Sequence, residues 1–150
     1  MASIRKSVIV HRPAALMYGL VEDIESYPQF LPWCTKTTVL ERSPEVTVAR
    51  MDLDYHGLKS HITTRNSKSP PEAMTLDLVD GPFRALSGKW RFVPLGEEGS
   101  RVELQLDYEF ANRAFELALG AAFGYIMGTL MDRFVQRAES MPEPGSGEGA

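Results

Sequence analysis

The residues best able to carry acid–base or metal chemistry in this 150-residue chain are its three histidines, His11, His56 and His61. By strand parity His56 shares a face with Asp52 and Asp54, so a His56–Asp54 pair is the acid–base arrangement that the spacing offers. Charges that alternate along a strand usually form its solvent-exposed face. The chain shows no Ser-His-Asp elbow, no metal-spaced Cys/His cluster and no phosphate-binding glycine loop. We therefore predict neither a catalytic site nor a metal site.

The single cysteine and the N-terminal residues indicate the cellular compartment in which the protein is expected. Cys34 has no second cysteine to pair with, which fits a reducing environment. Free cysteine is among the most buried residue types, so we expect Cys34 to pack in the core. The chain opens Met1-Ala2-Ser3-Ile4-Arg5-Lys6 and enters a strand pattern without the apolar region of a secretory signal. The expectation is a cytoplasmic protein.

Composition and charge are those of a globular protein without a generic affinity for nucleic acid. The chain is 43% hydrophobic and 24% charged, with a net charge of −4. Setting aside Glu139, Glu143 and Glu148 near the C-terminus leaves 16 basic against 17 acidic residues. Generic DNA binding requires a basic surface, and we therefore predict none. The nearby basic residues Arg84, Lys89 and Arg91 form either a local patch or, more simply, a solvated strand face.

One apolar segment stands out between an acidic helix-like stretch and a strand-like one: Tyr27-Pro28-Gln29-Phe30-Leu31-Pro32-Trp33-Cys34. Its two prolines fix φ and bias Tyr27 and Leu31 away from helix. A stiff element that holds Phe30, Leu31 and Trp33 at fixed angles either plugs a core or forms the lip of an apolar cavity.

Periodicity predicts the elements around this segment. Residues Ile4 to Val10 read as a strand, Pro13 starts a helix, and Ser26 is placed to cap a second, short helix. About six strands follow from Thr35 to Phe110 with period-2 alternation and short turns, which predicts an antiparallel meander. Typical turn residues are His56-Gly57 and Gly96-Glu97-Glu98-Gly99.

A long helix is predicted from Asn112, a good N-cap residue, to about Ala138. Its apolar face comprises Phe115, Leu119, Ala122, Phe123, Ile126, Leu130 and Phe134. Gly120, Gly124 and Gly128 form a stripe opposite this face, which indicates either close approach of another backbone or room for a ligand. The charge-free run from Leu117 to Met131 is shorter than a membrane span requires, and a peripheral membrane contact is the alternative.

These elements predict an α+β fold in which one antiparallel sheet of about seven strands wraps around the C-terminal helix. We assign residues 1–140 to one domain and residues 141–150, rich in Pro, Gly, Ser and Glu, to a disordered tail. A twisted sheet with a helix in its curl leaves a gap that side chains or a ligand must fill.

The motif Tyr27-Pro28-x-Phe30-Leu31-Pro32-Trp33-Cys34, together with Gly57-Leu58 and Gly81-Pro82-Phe83, resembles the coenzyme-Q-binding and polyketide-cyclase branch of the START-like superfamily, also called Bet v 1-like or helix-grip. The resemblance covers about residues 3–138. It implies a seven-stranded sheet that grips the C-terminal helix, with an apolar tunnel between them. It also implies binding of ubiquinone or another isoprenoid or lipid as ligand, in support of respiratory quinone function.

Parity and helical spacing give the residues that would line such a tunnel. Almost no charge points inward, which suits a long apolar ligand and disfavours an acidic one. The predicted ligand-binding residues are Phe30, Leu31, Trp33, Met51, Leu53, Tyr55, Leu76, Leu86, Trp90, Phe92, Phe115, Leu119, Ala122, Phe123 and Ile126. At the mouth of this tunnel, Phe30 and Trp33 are the first candidates for direct contacts with the ligand or for a gate.

Two other functions stay open at this point. Bacterial members of the same branch include ribosome-association toxins of the RatA type, which implies binding to the large ribosomal subunit and a block of subunit association. The branch also implies a polyketide cyclase-like enzyme, although no residue pattern in this chain supports cyclisation. A non-enzymatic binding protein without a resident cofactor is the main prediction.

Overall fold

The structure, a computed structural model, describes residues 2–141. In chain order its elements are β1 (Ala2–Val10), α1 (Ala14–Glu22), a 3-10 turn (Ile24–Ser26), α2 (Tyr27–Phe30), β2 (Cys34–Arg42), β3 (Val46–Tyr55), β4 (Leu58–Ser69), β5 (Ala73–Asp80), β6 (Phe83–Leu95), β7 (Gly99–Phe110) and α3 (Arg113–Glu139). The predicted disordered tail, residues 141–150, lies outside the described residues from position 142 onward.

The seven strands form one antiparallel sheet in the order β1-β7-β6-β5-β4-β3-β2. Register shifts with an extra residue in β2, β5 and β6 mark irregularities at which strands bend. Strand β2, the first of the meander, is at one edge of the sheet, and β1 pairs with β7, the last strand of the meander, and forms the other edge. The sheet, the two short helices after β1 and the long C-terminal helix confirm the predicted α+β helix-grip fold.

The β3–β4 hairpin is made by the predicted tight turn. His56 and Gly57 both have positive φ, at 54° and 87°, which is the signature of a type I′ turn. The Gly57 N–H donates to Asp54 Oδ1 at 2.8 Å and fixes the turn.

Both ends of α3 are held by side chains. The Phe115 N–H donates to Asn112 Oδ1 at 2.8 Å, which confirms Asn112 as the N-cap. At the other end the buried Arg12 guanidinium donates to the carbonyls of Ala138 and Glu139. A cation at a helix C-terminus also interacts favourably with the helix dipole. These contacts fix α3 across the sheet.

Tyr27 begins α2 with φ −53° and ψ −43°, as the predicted second short helix requires and against the local bias that Pro28 imposes. Pro28 sits in the first turn of this helix, where its missing N–H is not needed. The Tyr27 hydroxyl donates to the Val21 carbonyl, and its ring meets the ring of Phe134 edge to face. These tertiary contacts outweigh the local effect of proline. Leu31 is extended, as predicted, with φ −106° and ψ 99°.

Ser26 occupies the N-cap position of α2 without capping it. Its hydroxyl donates to Asp23 Oδ2 at 2.6 Å instead of accepting from the helix. The one-turn helix is therefore held by the Tyr27 and Phe30 rings more than by a cap.

Candidate ligand-binding site

The larger of two apolar cavities lies between the inner face of the sheet and the helices. It has a volume of about 100 Å³. Strands β3 to β7 form its floor, and Met127, Leu130 and Phe134 of α3 cover it. Val21, Ile24 and Tyr27 close the side nearest α1 and α2.

A smaller cavity of about 20 Å³ lies under the preceding turns of α3. Leu119, Ala122, Phe123 and Ile126 form its helical side. Ile62 of β4 lines both cavities and is 5% exposed, so the two spaces meet at this side chain. They form an interrupted apolar passage along α3.

The structure brings ten of the fifteen predicted ligand-binding residues to the walls of these cavities. Four of them line the larger cavity: Met51, Leu76, Leu86 and Trp90. Six line the smaller cavity: Leu53, Tyr55, Leu119, Ala122, Phe123 and Ile126.

The remaining five predicted residues lie elsewhere. Leu31, Trp33 and Phe92 are buried in the core, and Phe92 stacks behind Trp90 with ring centroids 6.0 Å apart. Phe30 is half-buried behind Phe134, at a centroid distance of 5.2 Å, with the Arg137 guanidinium over its other side. Phe115 is 42% exposed at the start of α3. The apolar segment thus supports the cavity wall through Tyr27, while its Phe30 and Trp33 stand behind that wall.

Thr64 and Asn66 of β4 are polar residues on the wall of the larger cavity. Arg50 of β3 also lines it, although strand alternation points its side chain to the other face of the sheet. The sequence did not identify these three as site residues. Strand β4 carries polar side chains at both parities, so its pattern does not show which of them face inward. Apart from Ser60 on the smaller cavity, the other lining residues absent from the predicted set are apolar or aromatic. They are Val21, Ile24, Tyr27, Ala49, Ile62, Met74, Leu104, Leu106, Met127, Leu130 and Phe134 on the larger cavity, with Leu58, Ile62, Pro82, Phe83 and Phe110 on the smaller.

A network of ion pairs joins α1 to the sheet beside the larger cavity. The Lys68 side chain is 6% exposed, and its Nζ lies 3.3 Å from Glu22 Oε1. Arg42 pairs with both Glu22 and Glu25. The hydrogen bond from Arg42 lowers the pKa of Glu25. Because the buried ammonium group is paired, it does not add an uncompensated charge to the cavity.

The groups considered for chemistry at the outset lie away from both cavities. His56 is in the exposed turn, where Asp54 accepts from the Gly57 N–H, and His61 contacts Asp80 at 3.1 Å near the surface. Burial raises the pKa of Cys34 to about 11, which disfavours a reactive thiolate. Within residues 2–141, no three His, Cys, Asp or Glu side chains are grouped in a way that could hold a metal ion.

The glycine stripe of α3 is open on its outer side. A Cβ at Gly120, Gly124 or Gly128 would meet no atom within 4 Å in the described part of the chain. Close approach of another segment within residues 2–141 therefore does not explain the stripe. α3 is also the one helix within residues 2–141 long and apolar enough to span a bilayer, a criterion that core helices of soluble proteins also meet.

A seven-stranded antiparallel sheet that encloses an apolar cavity with a long C-terminal helix defines a helix-grip, START-like protein. Residues 10–135 match the family described as polyketide cyclase / dehydrase and lipid transport, and the chain belongs to this family.

Among its relatives, the ribosome association toxin RatA of Escherichia coli K12 is 40% identical over 141 residues, which cover 94% of this chain and 89% of the relative. The mitochondrial coenzyme Q-binding protein coq10 of Schizosaccharomyces pombe is 26% identical, covering 90% and 85%. The crystal structure of the Zhui aromatase/cyclase from Streptomyces sp. R1128 has a TM-score of 0.84 at 20% identity and covers 97% and 98%, which establishes a shared fold.

Proposed function

We propose that this protein binds a long apolar molecule, such as ubiquinone or another isoprenoid lipid, between the sheet and α3. The observation that carries the proposal is the larger cavity, whose wall is apolar except for Arg50, Thr64 and Asn66. A largely apolar, concave site with few polar groups is typical of sites for small apolar ligands. The coenzyme Q-binding relative supports the same class of ligand.

The size of the cavity sets a condition on binding. A volume of about 100 Å³ is below the roughly 150 Å³ of an engineered cavity that admits benzene. A ring with an isoprenoid chain therefore needs the passage to open along α3, where Met127 lines the cavity with a flexible, unbranched side chain. Displacement of Ile62 would join the two cavities.

In this proposal the protein carries its ligand and does not transform it. The cavity walls hold none of the three histidines, and Asp54 is engaged in a turn. A carrier needs burial of the apolar chain, which contributes about 0.8 kcal/mol per CH₂ group. Support of respiratory quinone function would follow from delivery or storage of the ligand.

Purification without detergent, solvent extraction and mass spectrometry of the extract test this proposal directly. We expect a co-purified isoprenoid or other lipid, and a shift of tryptophan fluorescence on titration with decylubiquinone, since Trp90 lines the cavity. An extract without a lipid, together with an unchanged fluorescence spectrum on titration, would contradict the proposal.

The second candidate is binding to the large ribosomal subunit, favoured by the RatA relatives and by a feature of the outer sheet face. A groove of about 310 Å³ there has Arg5, Lys89, Arg91 and Glu103 among its lining residues, and Arg91 pairs with Glu103. Arg5 and Lys89 both align with Gln105 in the register, so their charges lie in one row across β1, β7 and β6. A local basic row of this kind can contact RNA phosphates without a basic protein overall.

Sucrose gradients of ribosomes with added protein decide this candidate. We expect more free subunits with the wild type and fewer with Lys89→Glu. Lys59→Glu, the same charge change on the exposed side of β4, is the matched control. An unchanged ratio of free subunits to assembled ribosomes with the wild type rules the candidate out.

A further inference from the structure

The polar part of the larger cavity contains a hydrogen-bond donor without a partner. Asn66 is 6% exposed and lines the cavity. Its Oδ1 accepts a hydrogen bond from Thr64 Oγ1 at 2.8 Å, which orients the amide. Within residues 2–141, the Asn66 Nδ2 makes no hydrogen bond. An amide –NH₂ group can donate two.

A second unsatisfied polar group lies beside it. Thr47 of β3 is directly opposite Asn66 in the β3–β4 register, so the two side chains share the inner face. Thr47 is 1% exposed, and in the described part of the chain its hydroxyl has no hydrogen-bond partner. Unpaired buried polar groups are unfavourable and uncommon. The Asn66 Nδ2 also lacks a partner within the described residues and reaches the cavity, which Thr47 does not line, so Asn66 is the residue on this face that indicates a place for a polar group from outside the chain.

The charges around this place favour a neutral group over an anion. Arg50 lies between the inward-facing Ala49 and Met51, so its side chain points to the other face of the sheet, where it donates through Nε and Nη2 to Asp52 Oδ1, at 3.1 and 2.9 Å. Lys68, two residues after Asn66, is paired with Glu22. Because Arg50 points away from the cavity and Lys68 already has a carboxylate partner, a buried carboxylate or phosphate on the ligand would lack a free counter-charge.

We propose that Asn66, oriented by Thr64, donates a hydrogen bond to a neutral acceptor oxygen at one end of the apolar ligand. A ketone, quinone or ester carbonyl has this chemistry. The chain of the ligand then lies along the apolar floor, past Leu76 and Leu106. This inference rests on the proposed binding function and adds to it the class of head group and the residue that selects it.

The test compares two probes that differ in their oxygens, decylubiquinone and decylbenzene. Their affinities are measured by displacement of the neutral fluorophore N-phenylnaphthylamine from the wild type and from Asn66→Leu. The leucine side chain has the same branching and the same number of heavy atoms, none of them polar. One hydrogen bond corresponds to about three- to tenfold in affinity. We expect Asn66→Leu to lower the affinity for decylubiquinone by this factor and to leave the affinity for decylbenzene unchanged. Thr64→Val should lower the affinity for decylubiquinone by less.

Thermal unfolding of the same variants without ligand separates this role from a structural one. If the Asn66 amide serves the ligand, Asn66→Leu loses within the protein only the hydrogen bond from Thr64, so it unfolds at the same temperature as Thr64→Val, which loses the same bond. A lower unfolding temperature than that of Thr64→Val, with equal loss of both probes, overturns the assignment of Asn66 as a head-group donor. Undiminished binding of decylubiquinone to Asn66→Leu overturns it as well, while leaving the cavity proposal intact. Failure of the wild type to bind either probe overturns the binding function itself.

Discussion

The ring of Phe134 on α3 meets the ring of Tyr27 on α2 edge to face, with centroids 5.4 Å apart, and both side chains line the larger cavity. Through this contact the proline-rich segment holds the C-terminal helix against the sheet. Phe134 also packs on Phe30 and on Trp90, so it is the point where the segment, the helix and the sheet come together.

Removal of the Phe134 ring is expected to be severely destabilising. Phe134 is 1% exposed, and truncation of a buried phenylalanine to alanine costs about 3–5 kcal/mol in unfolding free energy. Phe115→Ala on the same helix is the control, because that ring is 42% exposed and a surface substitution changes stability by about 0.5 kcal/mol. Urea denaturation measures both. Equal losses for the two variants would show that Phe134 does not hold the helix.

Two glycines should respond to alanine in opposite directions. Gly124→Ala is expected to raise the unfolding free energy by about 0.5–1 kcal/mol, because the site on α3 is open and alanine favours helix. Gly88→Ala is expected to lower it by about 1–3 kcal/mol. A Cβ there would lie 2.8 Å from the Gln105 carbonyl oxygen on β7. Thermal or urea denaturation checks both changes, and a destabilised Gly124→Ala would contradict the open surface described for α3.

Cys34 is expected to resist alkylation in the folded protein. Burial raises the pKa of its thiol from 9.0 to about 11. A rise of two units lowers the thiolate fraction about 100-fold at pH 8, and the thiolate is the reactive form. The measurement is the rate of iodoacetamide labelling with and without urea. The double variant Cys34→Ser/Thr35→Cys, with an exposed thiol one residue later, should label rapidly in both conditions. Fast labelling of native Cys34 would show that the thiol is accessible.

Most of the fold could be predicted from the sequence, because the alternation of apolar and polar residues is strong in strands and helices that have one buried face. The alternation from Val102 to Phe110 predicts β7, and Asn112 predicts the start of α3. Tyr27 is helical against the local bias of Pro28, because its conformation is held by contacts with Val21 and Phe134. Local rules do not include such tertiary contacts.

The candidate site was predictable only in its apolar part. Helical periodicity indicates which way a side chain points around α3, but it does not indicate whether the sheet extends far enough to cover that side chain. Phe115 is therefore on the predicted apolar face of α3 and yet is exposed. Asn66 and Thr64 were not predicted as site residues, because β4 has polar residues on both of its faces. Their inward orientation depends on pairing with β3 and β5.

The central claim is that an apolar ligand occupies the larger cavity, and filling that cavity tests it most directly. Ala49 lines the cavity, and Ala49→Ile adds three carbon atoms to its wall. Thr75→Ile on β5 is the matched control, since Thr75 lies between the cavity residues Met74 and Leu76 and points to the other face of the sheet. The measurement is the affinity for decylubiquinone of the wild type and both variants. We predict at least about tenfold weaker binding for Ala49→Ile, which corresponds to about 1.4 kcal/mol, and wild-type binding for Thr75→Ile. Full affinity in a folded Ala49→Ile variant would contradict the claim.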